Sequence, residues 1–231
     1  MSVGTAAGLI LIVATLGLNA CFLLLARWFE YPDILRKPTE YILTRFRAGG
    51  TRLILVWWGF MLSGVLLVPG AILLAQVMSA DRLAILPIAV AFGVLAGLVQ
   101  VLGLLRWVYL VPYLARTHGE PQVSAAAREA TEVVFQAFHR ALGVGVGEHL
   151  GYLFTGLWAL LVGVAMLQGS IFPAWLGWTA VVLGPGLMIG SVEFLGRNEE
   201  RGWALAGAAV PILYLALSLW LVVTGIVLLV R

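Results

Sequence analysis

The chain has 231 residues, 62% of them hydrophobic and only 11% charged, with a mean hydropathy of +1.03; soluble domains run at about 45–50% apolar and about 25% charged. That balance excludes a water-soluble globule and points to a polytopic membrane protein with a single domain, residues 1–231. The formal charge of +3 sits in short loops between apolar runs, which is the orientation signal of membrane proteins and not the footprint of a nucleic-acid binder.

A spanning helix needs about 20 mostly apolar residues. Six runs qualify, at about 4–26, 53–78, 83–105, 147–167, 174–195 and 203–230. The expected fold is therefore all-α, a bundle of six transmembrane helices with two cytoplasmic interfacial amphipathic helices. The alternation of a membrane β-barrel strand, about ten residues long, is not seen. In the first run Leu18-Asn19-Ala20-Cys21 loosely resembles a lipoprotein cleavage box. No basic residue precedes that run and it continues past Cys21, so an uncleaved span is expected. Cys21 is the single cysteine, which excludes an internal disulfide and a multi-cysteine metal cage.

The first connection carries Arg27, Arg36, Lys37, Arg45, Arg47 and Arg52. The third carries Arg106, Arg116, Arg128 and Arg140, and the fifth Arg197 and Arg201. These are twelve of the fourteen basic residues; Arg82 and Arg231 fall on the other side. The bias places connections one, three and five in the cytoplasm and both termini outside it.

Within the first connection, Pro38-Thr39-Glu40 opens a helical pattern with proline suited to a first turn. Ile42, Leu43 and Phe46 fall on one side, Arg45 and Arg47 on another, and Gly49-Gly50 ends the pattern. It reads as an interfacial helix lying on anionic lipid. In the third connection a helix is expected over about 124–142, with Ala127, Thr131, Val134, Phe138 and Ala141 as its apolar stripe. Either helix offers a docking face for a protein partner. Trp28, Trp57, Trp58, Trp107 and Trp203 fall near the inner boundary and Trp175 and Trp178 near the outer one, as aromatic belts do; Trp158 and Trp220 lie deeper, toward the core.

Glycines recur at four-residue spacing as Gly93 and Gly97, as Gly143, Gly147 and Gly151, and as Gly186 and Gly190. Such stripes let helix backbones approach closely in lipid. Packing inside one bundle explains them more simply than a homo-oligomer interface. Gly184-Pro185-Gly186 predicts a kink or break in the fifth run.

Polarity concentrates in the inner half of the runs. Asn19, Gln100, Arg106, Glu193 and the stretch from His139 to Tyr152, HRALGVGVGEHLGY, all fall there. On a helix Tyr152 and Thr155 lie within about 40° of Glu148, while His149 is offset by about 100°. A charge at the bilayer centre costs about 2.5–3.5 kcal/mol on insertion scales. Glu148 and Glu193 are therefore expected to pair, with Arg106, His139, Arg140 and His149 as the available partners. Two readings follow. One is an ion-pair network tying helix ends together. The other is a cytoplasm-facing pocket for a small polar or amphiphilic ligand. A metal or haem on His139 and His149 fits poorly, because they lie ten residues apart across a glycine-rich break and match no ligand spacing. Retinal is disfavoured because the one lysine, Lys37, sits in a connection. The sequence names no cofactor. It holds no nucleophile elbow, phosphate loop or HExxH.

From Gly151 to Trp178 the chain reads GYLFTGLWALLVGVAMLQGSIFPAWLGW, with the turn Phe172-Pro173-Ala174-Trp175-Leu176-Gly177-Trp178. This pattern, with the amphipathic helix ending at His139, resembles, mainly over the second half of the chain, a family of bacterial six-span membrane proteins known only as a domain of unknown function. The resemblance implies a six-span fold in a bacterial inner membrane. It carries no activity and no site residue. The leading functional expectation is a non-enzymatic membrane subunit or binding protein. Behind it stand a small transporter or ligand sensor using the pocket around Glu148 and Glu193, and then a membrane-embedded enzyme.

Overall fold

The computed structural model describes residues 1–81 and 83–231. Arg82, assigned above to the outer side, lies outside the described residues. The architecture is all-α. In chain order the helices are α1 (Val3–Phe29), α2 (Thr39–Met78), α3 (Leu86–His118), α4 (Ala125–Phe138), α5 (Gly151–Gln168), α6 (Ala174–Gly190) and α7 (Ala204–Leu229). A π-helical segment, His139–Leu150, joins α4 to α5. Five helices are long and apolar enough to cross a membrane: α1, α2, α3, the continuous rod Ala125–Gln168, and α7. α6 is apolar but shorter, at 17 residues.

The ends follow local chemistry. The Ser2 hydroxyl accepts from the Thr5 amide at 3.0 Å to cap α1, and Ser124 caps α4 through the Ala127 amide. α1 stops at Glu30, whose φ of 57° turns the chain out of the helix. α2 carries one non-helical residue, Gly50, with φ 55° and ψ −152°. Only glycine takes that conformation without strain, so residues 39–49 bend away from the rest of α2.

Neighbours pack antiparallel in a closed ring: α1 on α2, α2 on α3, α3 on the rod, α5 on α6, α6 on α7, and α7 back on α1. The crossings are made of small residues. A Cβ on Gly8 would fall 2.7 Å from the Gly225 carbonyl, and one on Gly97 2.8 Å from the Gly64 carbonyl. Gly93 and Gly97 meet α2, Gly143 and Gly147 meet α3, and Gly186 and Gly190 meet α7. The stripes are thus spent on contacts inside the bundle.

One end of the ring gathers the arginine-rich connections. Gln136 donates to Thr39 at 2.7 Å, Arg47 to the Gly119 carbonyl, and Arg140 pairs with Glu199. At the opposite end the Ser170 amide and hydroxyl bond to Asp81. The chain termini lie there too, since α1 starts where α7 ends.

Several expectations are corrected. α3 does not end near 105 but continues to His118. α6 ends at Gly190 instead of 195, so Glu193 lies in the turn beyond it. Pro185 does not break α6, which is continuous through it. The glycine-rich stretch after His139 is no break either. Gly103 and Gly147 bring two backbones together, a Cβ on the first falling 2.6 Å from the second's Cα, and the rod widens there without ending. The stripe of α4 is Thr131 and Phe135, continued by His139; Val134, Phe138 and Ala141 are exposed. Ile42, Leu43 and Phe46 do not face lipid, being buried against the bundle. Trp57 and Trp107 are not belt residues, because both are fully buried in the core at the arginine-rich end. Trp175 and Trp178 are exposed, and Trp158 and Trp220 are buried edge to face at the other end.

Candidate functional site

At the arginine-rich end, α1, α2, α3, the π-helical segment and α7 enclose a cavity of about 500 Å³, within the range of about 300–1,000 Å³ that holds small ligands. Its wall is mostly apolar and aromatic. Trp57 and Trp107 stack at 4.6 Å, and Tyr31 stands edge-on to Trp57 at 5.3 Å. Among the described residues lining it, the charged ones are Glu148 and Arg106.

Of the residues singled out by sequence, Asn19, Gln100, Arg106, Glu148 and Tyr152 line this cavity. Asn19 donates to the Thr15 carbonyl at 2.8 Å and to Ser218 on α7 at 3.1 Å, which fixes α1 to α7 at the cavity's inner limit. Gln100 donates to Thr155 at 3.2 Å; Thr155 lines a smaller adjoining cavity with Gln100. Tyr152 meets Tyr214 edge to face at 5.3 Å. The other four lie outside. His149 donates from Nδ1 to the Ser191 carbonyl at 2.8 Å. His139 stacks on Phe135. Arg140 and Glu193 belong to the rim. The two histidines therefore do not converge, and no group of three or more metal-ligating side chains occurs among the described residues.

The expected pairing is corrected. Glu193 pairs with Arg36, a residue the sequence did not single out, at 2.9 Å. Arg140 pairs with Glu199. Glu148 makes no ion pair or side-chain hydrogen bond among the described residues. Arg106 is buried, donates to the Gly103 carbonyl and lies 5.2 Å from the Trp107 ring centre. Its Nε has no hydrogen-bond partner. Gly143 makes room for it, because a Cβ there would fall 2.6 Å from a guanidinium nitrogen. Ion pairing thus holds the rim, and the cavity keeps two opposite charges that are not in ion-pair contact with each other.

Trp57 and Trp107, expected as belt residues, also line the cavity, as do Tyr31, Tyr214 and Ser218, to which sequence reading assigned no site role. The WFEYPDILRKP stretch held the signal for Tyr31 and Arg36: three aromatics and a proline before a basic pair inside a short connection. Burial, then the Glu148 carboxylate, pushes the Tyr31 phenol up, so the hydroxyl stays protonated and able to donate.

Burial also pushes the Glu193 carboxyl above the ordinary carboxylate range, and Arg36 pulls it back. The folded state then holds that proton to higher pH than the unfolded chain. Its stabilising contribution is full at acid pH and is lost as pH rises through the raised value. Arg36→Ala widens that window upward and leaves Glu193 buried and unpaired. The expected loss near neutral pH is about 1–3 kcal/mol, below the cost for a fully buried pair because Arg36 is half exposed. Thermal unfolding in detergent across pH checks both.

No curated protein and no solved structure matches the chain. The family model described as domain of unknown function DUF4386 matches residues 5–225, which reaches well beyond the second half of the chain. Over nearly its whole length the chain therefore belongs to the DUF4386 family.

Proposed function

We propose that this chain is a single-domain protein of a bacterial inner membrane with six spans, and that it binds a small amphiphilic ligand in the cavity at its cytoplasmic end without transforming it. The observation that carries the reading is Glu148, a carboxylate with no partner among the described residues, set in the wall of a cavity of about 500 Å³. A half-buried charge in an apolar wall without a partner is costly, and an ionisable group at membrane depth marks a function more often than a scaffold. The rim pairs supply the structural role that would otherwise explain it.

Six spans are supported by the alternating ring. α6 runs antiparallel to both α5 and α7, and its 17 residues are at the lower limit for a span. Twelve basic residues at one end and the termini at the other support termini outside the cytoplasm. In a Cys21→Ser background, Ser2→Cys should react with an impermeant maleimide on intact cells and Arg128→Cys only after lysis. The reverse pattern would invert the topology.

Glu148→Gln tests the binding role against a structural one. It removes an unpaired charge, so thermal stability in detergent should hold or rise while ligand is lost. A fall like that of Arg36→Ala would make Glu148 part of the scaffold.

A further inference from the structure

The cavity has a side door. Most lining residues are buried or half-buried, but Leu23 on α1 and Pro211 and Leu215 on α7 are exposed on the outer surface of the ring. α1 and α7 touch closely at Gly8 and Gly225 and again through Asn19 and Ser218. Beyond Asn19 the cavity reaches the surface between them. Toward the arginine-rich end it is covered by Tyr31, Pro32 and Leu35, a segment held down by the Arg36–Glu193 pair and by Arg36 lying 5.6 Å from the Phe194 ring centre. The way in is therefore sideways, past apolar residues that face the acyl chains of the inner leaflet in a bilayer, and not straight down from water.

The polar wall defines what fits. It offers one carboxylate, Glu148, and one guanidinium, Arg106, each without an ionised partner within ion-pair distance among the described residues. A purely cationic ligand would leave Arg106 unanswered, and a purely anionic one would leave Glu148 so. A group carrying both charges answers both. Tyr31, Tyr152 and Tyr214 add phenol groups around these charges.

We infer that the cavity takes the headgroup of a zwitterionic phospholipid bearing a primary ammonium, admitted from the inner leaflet between α1 and α7, with its ammonium on Glu148, its phosphate on Arg106 and its chains left in the bilayer at Leu23 and Leu215. The inference rests on the cavity being a ligand site and adds the ligand's class and its route.

The test uses the full chain reconstituted in vesicles of phosphatidylethanolamine and phosphatidylglycerol in equal amounts, then released into mild detergent for native mass spectrometry. One phosphatidylethanolamine should remain bound, favoured over phosphatidylglycerol by roughly tenfold or more, the size expected for one charge-assisted hydrogen bond. Glu148→Gln should bring the ratio near one. Leu215→Trp alters only an exposed residue at the mouth and leaves both charges in place; it should lower retention of the lipid, so the proposal stays testable even if the Glu148 variant folds poorly. Equal retention of the two lipids by the unaltered chain, or full retention by the Leu215 variant, would overturn it. Retention of soluble phosphoethanolamine but not of the lipid would also overturn it while leaving the cavity a ligand site. No adduct of lipid or of phosphoethanolamine would overturn the ligand's class, and the broader reading would then stand or fall on the mass carried from the native membrane.

Discussion

Trp107→Ala is expected to destabilise the fold by about 3–5 kcal/mol, the range for truncating a buried large aromatic. Trp107 is fully buried and joins four helices through ring contacts. It stacks on Trp57 of α2 at 4.6 Å and 8°. It meets Phe29 of α1 edge-on at 5.5 Å, Phe46 before the α2 bend at 5.8 Å, and Phe135 of α4 at 6.2 Å. Aromatic pairs of this kind add about 0.5–1.5 kcal/mol beyond the area they bury. Truncation would also enlarge the ligand cavity, because Trp107 is part of its wall, and the walls of the void would then have nothing to pack against. Trp178→Ala, at a residue 60% exposed, should leave stability nearly unchanged. Unfolding in graded detergent, followed by circular dichroism, compares the two. Equal losses would mean that the aromatic cluster does not hold this end together.

Gly156→Leu should lower the yield of folded protein most among single changes outside the cavity. A Cβ on Gly156 would fall 2.5 Å from the Gly184 carbonyl, and one on Gly184 2.5 Å from the Gly156 carbonyl. The obstacle on each side is backbone, which cannot rotate aside. Gly163 and Gly177 repeat the arrangement one step along the same crossing. Overpacking a core typically costs about 1–3 kcal/mol, and a backbone-to-backbone contact belongs at the upper end, since relief requires α5 and α6 to separate. Gly4→Ala, whose new methyl would meet nothing closer than 3.8 Å, is the matched control. Recovery by size-exclusion chromatography should be unchanged for it and sharply reduced for the Gly156 variant. Full recovery of the latter would mean that the crossing adapts.

The sequence made the all-α, apolar character of the chain legible, because α1 and α7 are uninterrupted apolar runs that nothing else explains. It failed where a helix crosses a composition boundary. α3 continues from apolar residues past Arg106 to His118, since its last turns pack on α4 and the first connection rather than meeting solvent. The glycines after His139 looked like a stop. With Gly103 of α3 against Gly147 they permit a widened helix instead, of the sort that recurs at functional sites. Depth along a helix was readable, and facing was not. Trp57 and Trp58 are neighbours at one depth, yet one is fully buried and the other 45% exposed. The choice depends on residues 39–49 folding back at Gly50 to lay Phe46 on Trp107.

The polar residues divide in the same way. Their concentration at one end was visible, and five of the ten candidates line one cavity. Their partners were not visible. Arg36 and Glu193 are 157 positions apart, and only the ring closure brings the first and fifth connections together. That closure takes Glu193 into a rim pair and leaves Glu148 to the cavity.

Glu148 is proposed to serve a ligand. Native mass spectrometry of the protein extracted gently from its own membrane tests it most directly, with the unaltered chain and Glu148→Gln run side by side. The expected result is one small-molecule mass on the unaltered chain, absent from an equally folded Glu148 variant. An unaltered chain without any such mass, or a variant that keeps it, would contradict the account.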